Sequence, residues 1–179
     1  MPRPKTGQSP LTREHIIETA LSLVDADGFD ALSMRRLAAA LGVDPMAIYH
    51  HIDGKDALLV EMARAIYTTM DTTPPTGTWR EQVHVFAARY YAITQAHPAL
   101  VIRLLSDAAA VDAASTLANQ LLYAALGESG LPDAHISLAA GVIVDYLNGY
   151  ALGGKYATTG YEAGLDLILD GITTRLLKP

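Results

Sequence analysis

The sequence predicts an all-α protein of about nine helices, and three observations predict it. Apolar residues recur at three- and four-residue spacing along most of the chain, the period of a helix with one buried face. Sustained alternation of β-branched residues is missing, and no Asn-Gly pair joins two such runs as a hairpin turn. Helix punctuation is frequent, with hydroxyl or carboxylate caps, prolines where a first turn would begin, and glycines where an apolar stripe ends.

The elements follow in order. Residues 1–11 read as a disordered arm. Thr12 can cap a first helix whose stripe is Ile16, Ile17, Ala20, Leu21, Leu23 and Val24, with Gly28 as its stop. Ser33 caps a short second helix with Leu37, Ala38 and Leu41 inward, and Gly42 ends it. Asp44-Pro45 then offers a cap carboxylate followed by proline at the first helical position, where a missing amide hydrogen costs little. The spacing predicts a third helix over Pro45 to His51, about two turns or ~10 Å long. A fourth opens at Asp53 or Gly54 and runs through Leu58, Leu59, Met62 and Ile66.

Composition bounds the rest. The chain has 179 residues and a net charge of −6, with no cysteine. That length can bury a sizeable core without disulfide or metal staples. An intracellular, cytoplasmic setting is the expectation, because the N-terminus carries no apolar signal core. The apolar run Leu138 to Val144 is far short of the ~20 residues that span a bilayer. Residues 1–55 hold six basic and seven acidic side chains, so the acidic excess lies later in the chain. The first third is therefore not a basic stripe, and a nucleic-acid contact there has to be local and geometric.

Two short helices joined by a tight glycine turn describe a helix-turn-helix, with the third helix in the recognition position. At this point the segment 12–66 resembles the DNA-binding domain of the tetracycline-repressor-type (TetR) family of bacterial transcriptional regulators. The stretches that carry the resemblance are Ile16–Val24, Gly28–Ala38, Leu41-Gly-Val43, Ala47–Ile52 and Lys55–Leu59. The resemblance implies that Ser33, Met34 and Arg35 meet DNA at the start of the second helix. Pro45, Met46 and Ala47 would then face base edges from the leading turn of the third. It also implies that Tyr49 and His50 touch backbone and bases, and that Lys55 binds phosphate. One departure matters: the leading turn carries no Arg, Asn or Gln for bidentate base reading. Specificity is expected to lean on thymine-methyl contacts, His50, Arg35 and DNA shape. Plainer readings stay open, with Tyr49 as a packing residue and Arg35 and Arg36 as solvated charges. A metal at His50 and His51 is not expected, since adjacent helical residues point apart.

Asp71–Gly77 is the clearest internal break. The organisation expected is an arm over 1–11, a helix-turn-helix domain over 12–55, a linking helix and loop over 56–77, and a regulatory domain over 78–179 that binds a ligand and dimerises. Thr78-x-x-Glu81 is a capping box for the fifth helix, which carries Val83, Phe86, Ala87 and Tyr90 and closes at His97-Pro98. A sixth helix is expected over Ala99 to Ser106, a seventh from about Asp107 to Leu126, and an eighth with Pro132 in its first turn. From Leu138 to Leu152 the eighth helix is apolar almost all round, so it needs cover from its own core and from something else. A second copy is the simplest cover, and the resemblance implies the same four-helix interface. Gly141, Val144 and Leu152 would supply one half of it, and Leu165, Ile168, Leu169 and Ile172 of the last helix the other, with Gly149, Gly153, Gly154 and Leu176 nearby.

Asp145 stands in that apolar helix with Asn148 one turn on. Read as buried, it needs a partner, either Arg103 in a structural ion pair or a cationic ligand. Phe86, Tyr90, His97, Asn119, Tyr123 and Tyr146 are the remaining pocket candidates, each also readable as ordinary core or surface. The function expected is a ligand-responsive repressor that binds a palindromic operator as a homodimer, needing no cofactor and no membrane. The alternatives are a ligand-independent regulator or activator on the same fold, and a helical enzyme. Nothing supports the last, because no nucleophile elbow, phosphate loop or metal-binding His pair is present and no catalytic residue is assigned.

Overall fold

The computed structural model describes residues 10–107, 119–153 and 160–175, which are helical without a strand among them. The chain divides into two compact units, residues 1–62 and 63–179.

The first unit begins with α1 (Arg13–Asp27), whose Thr12 hydroxyl accepts the His15 N–H as expected of a cap. Ile16, Ala20 and Val24, one turn apart, are fully buried. After Gly28, at φ 81°, a single 3₁₀ turn over Phe29–Ala31 buries Phe29. The sequence reading had no element there. α2 (Met34–Leu41) packs on α1 and on α3 (Pro45–Tyr49), and the turn between α2 and α3 depends on Gly42. At φ 69° and ψ 28° that residue is left-handed, which glycine adopts without a Cβ penalty. The reversal is closed by a bond from Val43 N–H to the Ala38 carbonyl, 3.0 Å. α4 (Gly54–Thr68) opens at glycine, at φ 88°, and its Leu58, Leu59 and Met62 complete this core.

In the second unit α5 (Trp79–Ala96) starts with the capping box. The Thr78 N–H donates to the Glu81 carboxylate at 2.7 Å, and the Thr78 hydroxyl accepts the Glu81 N–H at 3.4 Å. α6 (Pro98–Leu104) follows directly, beginning one residue before and ending two before the expected span. A helical stretch at residues 119–127 is α7; Asp107 is not helical, and the expected span over 108–118 lies outside the described residues. α8 (Asp133–Leu152) begins after Pro132, which precedes the first turn rather than entering it. α9 (Tyr161–Arg175) closes the unit, and the expected contributions of Gly154 and Leu176 lie outside the described residues.

α5 is the centre of the second unit, packing on α6, α8 and α9. Phe86, Ala87, Leu100, Leu122, Leu126, Ile143, Leu147, Leu165 and Leu169 have no exposed surface. Arg89 fastens the chain that precedes α5, donating to the Asp71 and Thr73 carbonyls at 2.9 and 2.8 Å and pairing with the Asp71 carboxylate at 2.6 Å. Among the described residues no helix is long and apolar enough to cross a membrane.

Because the capping box satisfies amides at the start of α5, Thr78→Ala is expected to cost about 1 kcal/mol of stability. Thr78→Ser should cost much less, and urea unfolding followed by circular dichroism measures both.

Candidate nucleic-acid interface and buried polar chain

α3 is short because its punctuation is dense. Asp44 caps it, the carboxylate accepting the Met46 N–H at 2.8 Å, and Pro45 occupies the first position. The helix ends at Tyr49, two residues before the expected end. His50 keeps helical dihedrals, but the His51 N–H already reaches back only three residues, to the Ile48 carbonyl at 2.9 Å. Five residues cannot hold a helix by propagation; tertiary packing holds this one. Ile48 and Ile52 are buried at 0% and 2% exposure, while Met46 is 63% exposed and Tyr49 44%. Met46, Tyr49 and His50 stand at i, i+3 and i+4, so they share one outward face. Pro45 and Ala47 are half-buried. The packing reading of Tyr49 is thereby disfavoured, since its neighbour Ile48 takes the core position.

The charged candidates differ in freedom. Arg35 is exposed on α2, whereas Arg36 is engaged with the Asp27 carboxylate and the Ala31 carbonyl. Ser33 spends its hydroxyl lone pairs on the Arg36 N–H, 3.2 Å, as a cap, and Met34 beside it is half-buried. Lys55 Nζ donates to the Phe29 carbonyl at 3.1 Å and lies 4.4 Å from that ring's centre. It is half-buried and ties the start of α4 to the 3₁₀ turn, an internal task that the sequence reading did not foresee.

In the second unit three buried polar groups from three helices form a chain. The Tyr67 hydroxyl of α4 donates to that of Tyr90 on α5 at 3.3 Å, and Tyr90 donates to the Asn148 side-chain carbonyl on α8 at 3.0 Å. Tyr90 also stacks between Tyr67 and Phe86, with ring centres 5.8 and 5.6 Å away. Burial pushes both hydroxyls up from the ordinary tyrosine value, Tyr67 furthest. Phe86, Tyr90 and Asn148 were thus read from the sequence as pocket residues and do come together. Tyr67 was missed, although it lies one turn beyond Ala63 on the inner face of α4.

The other candidates disperse. His97 joins α5 to α6 and borders a cavity of about 350 Å³ with Met70, Asp71, Arg89 and Ile93. Tyr123 is 41% exposed, Asn119 is half-buried, and the Tyr146 hydroxyl donates to the Tyr161 carbonyl at 2.9 Å. The buried ion pair expected of Asp145 does not form. Asp145 is exposed, and Arg103 reaches Asp107 at 3.3 Å, one turn on. The expected interface stripe also needs correction: Leu165, Leu169 and Ile172 are core residues of their own chain at 0%, 0% and 6% exposure, while Ile168, Val144 and Leu152 are half-buried. Gly141 of the expected set is exposed, and so are Leu138, Val142 and Gly149 of α8 and Leu167 and Gly171 of α9.

The fold and this face together define a helix-turn-helix unit followed by an all-helical second unit, and the comparisons with known proteins agree. Residues 16–62 match the family described as bacterial regulatory proteins, tetR family. The repressor DrrR1 of Streptomyces coeruleorubidus is 34% identical over 102 residues, 55% of this chain and 38% of that protein. Apo ActR of Streptomyces coelicolor superposes with a TM-score of 0.79 at 25% identity, covering 96% of this chain and 97% of that one. BioQ of Mycobacterium smegmatis gives 0.78 at 28% identity, covering 90% and 98%. The tetR-family match lies within residues 16–62, and the chain shares the overall fold of ActR and BioQ. The match spans 38% and 59% of the length of two curated relatives.

The raised tyrosines make a pH prediction. Their folded values lie above the unfolded value of 10.0, so the stability they confer is complete below pH 10 and is lost as pH rises beyond it. Thermal melts between pH 8 and pH 12 are expected to show the loss, and Tyr67→Phe is expected to flatten it.

Proposed function

We propose that this chain is a transcriptional repressor that holds a palindromic DNA operator as a homodimer and leaves it when a small molecule occupies the second unit. The observation that carries the reading is the outward face of Met46, Tyr49 and His50 on a helix anchored by Ile48, inside the segment that matches the family. Two relatives support it. BioQ has been solved with its double-stranded DNA operator, and ActR in complex with actinorhodin.

One five-residue helix makes too few contacts for a stable complex. A twofold pair reads two half-sites about 34 Å apart, one DNA turn. Cover for the open face of α8 and α9 supplies the pairing. Leu138, Val142 and Leu167 are 58%, 45% and 75% exposed, and a Cβ placed on Gly141, Gly149 or Gly171 would meet nothing, so a second copy can approach closely there. Exposed Arg35, the leading turn of α3 and Tyr49 then serve as DNA contacts, with Ser33 and Lys55 near phosphate.

For the effector, Phe86 and Tyr90 offer aromatic surface, and the Tyr67–Tyr90–Asn148 chain offers polar groups that a ligand can compete for. α4 supplies Tyr67 to this chain and Leu58 and Leu59 to the core of the first unit. A ligand that rearranges the chain therefore acts on a helix shared by both units, and ~1–3 kcal/mol of coupling suffices for a regulatory response.

Purified protein should retard a fragment of its own upstream region in a gel-shift assay. Val142→Glu with Leu167→Glu should leave the helical spectrum intact, give a monomer by light scattering and weaken that retardation at least tenfold. Absence of retardation by the unaltered protein, or full binding by the doubly altered one, contradicts the reading.

A further inference from the structure

The outward face of α3 lacks the usual chemistry of base reading. Arg, Lys, Asn and Gln supply the bidentate hydrogen bonds that single out guanine and adenine, and α3 contains none of them. The structure also commits the nearby polar groups. The Asp44 carboxylate is held by the Met46 N–H, Arg36 by Asp27 and the Ala31 carbonyl, and Lys55 by the Phe29 carbonyl and ring. Arg35 belongs to α2 and not to α3.

What the face does offer is Met46, 63% exposed and two residues from the buried Ile48 that fixes its direction. An unbranched thioether chain is soft and polarizable and fits itself to small apolar groups. In the major groove the small apolar group is the C5 methyl of thymine. A methyl is the same object on cytosine: 5-methylcytosine places it at the same ring carbon, facing the same groove.

We propose that Met46 selects DNA by its pyrimidine C5 methyl groups, so that binding depends on thymine rather than uracil at its step and gains from 5-methylcytosine over cytosine there. This rests on the DNA-binding reading above and adds the chemistry of the base contact. Tyr49 and His50, at i+3 and i+4 from Met46, share its outward face and add one hydroxyl and one imidazole, each able to make a single hydrogen bond, so the methyl preference is expected at one or two positions in each half-site.

The test uses the full chain and synthetic duplexes. Sites are selected from a random DNA library, and the best is remade with uracil for thymine one position at a time, and with cytosine or 5-methylcytosine at any sensitive position. Losing one well-covered methyl is expected to weaken binding about fourfold, and 5-methylcytosine should recover a similar factor over cytosine. Met46→Ala, at an exposed site, should fold normally and abolish both differences at that position while still binding the duplex. Equal binding of uracil and thymine sites throughout, or a thymine preference that survives Met46→Ala, overturns the proposal and leaves DNA binding standing. A library from which no sequence is enriched overturns the DNA-binding reading and the proposal together.

Discussion

The constraint on which the rest depends is the burial of Ile48. Five residues form a helix too short to sustain itself, and its orientation is fixed by one apolar side chain in the core with Ile52 behind it. The same peptide geometry that sends Ile48 inward turns Met46, Tyr49 and His50 outward. Asp44, Pro45 and the left-handed Gly42 serve that arrangement by satisfying amides and reversing the chain without strain. The elements around it are tied to one another in turn, Lys55 to the Phe29 carbonyl and Arg36 to Asp27 and the Ala31 carbonyl.

The second unit solves a different problem. Its core holds several buried polar side chains, Gln82, Thr94 and Ser129 among them, and the hydroxyls of Tyr67 and Tyr90 and the amide of Asn148 satisfy one another across three helices. Polar groups buried in this way are costly when left unpaired, so any molecule that displaces one of them has to replace its bond. The chain of bonds ties α4, α5 and α8 together. It also gives α4 a part in both units, through Tyr67 in one and Leu58, Leu59 and Met62 in the other.

Local chemistry was legible in the sequence and tertiary cover was not. Thr12, Ser33, Asp44 and Thr78 act as caps where their residue types and spacing place them, because a cap involves only the next turn. Asp145 was misread because its sequence neighbours are apolar. Burial depends on what lies opposite a helix face, and among the described residues Leu138, Val142 and Asp145 on one side of α8 stay exposed. The stripe of Leu165, Leu169 and Ile172 was correct as a stripe, yet periodicity cannot say whether its cover is the same chain or another. The bond of Lys55 to Phe29 and the part played by Tyr67 escaped for the same reason, since the partners lie 26 and 23 residues away. The clustering of Phe86, Tyr90 and Asn148 was readable because aromatic and amide groups inside apolar helices have few places to go.

The absence of cysteine allows the orientation of α3 to be measured directly. Single cysteines at 46, 48 and 49 would be labelled with a maleimide, with and without a duplex selected by the protein. Rapid labelling at 46 and 49, protection of both by DNA, and slow labelling at 48 in either state are the predicted result. Labelling at 48 as fast as at 46, or DNA that leaves 46 and 49 open, would contradict the account.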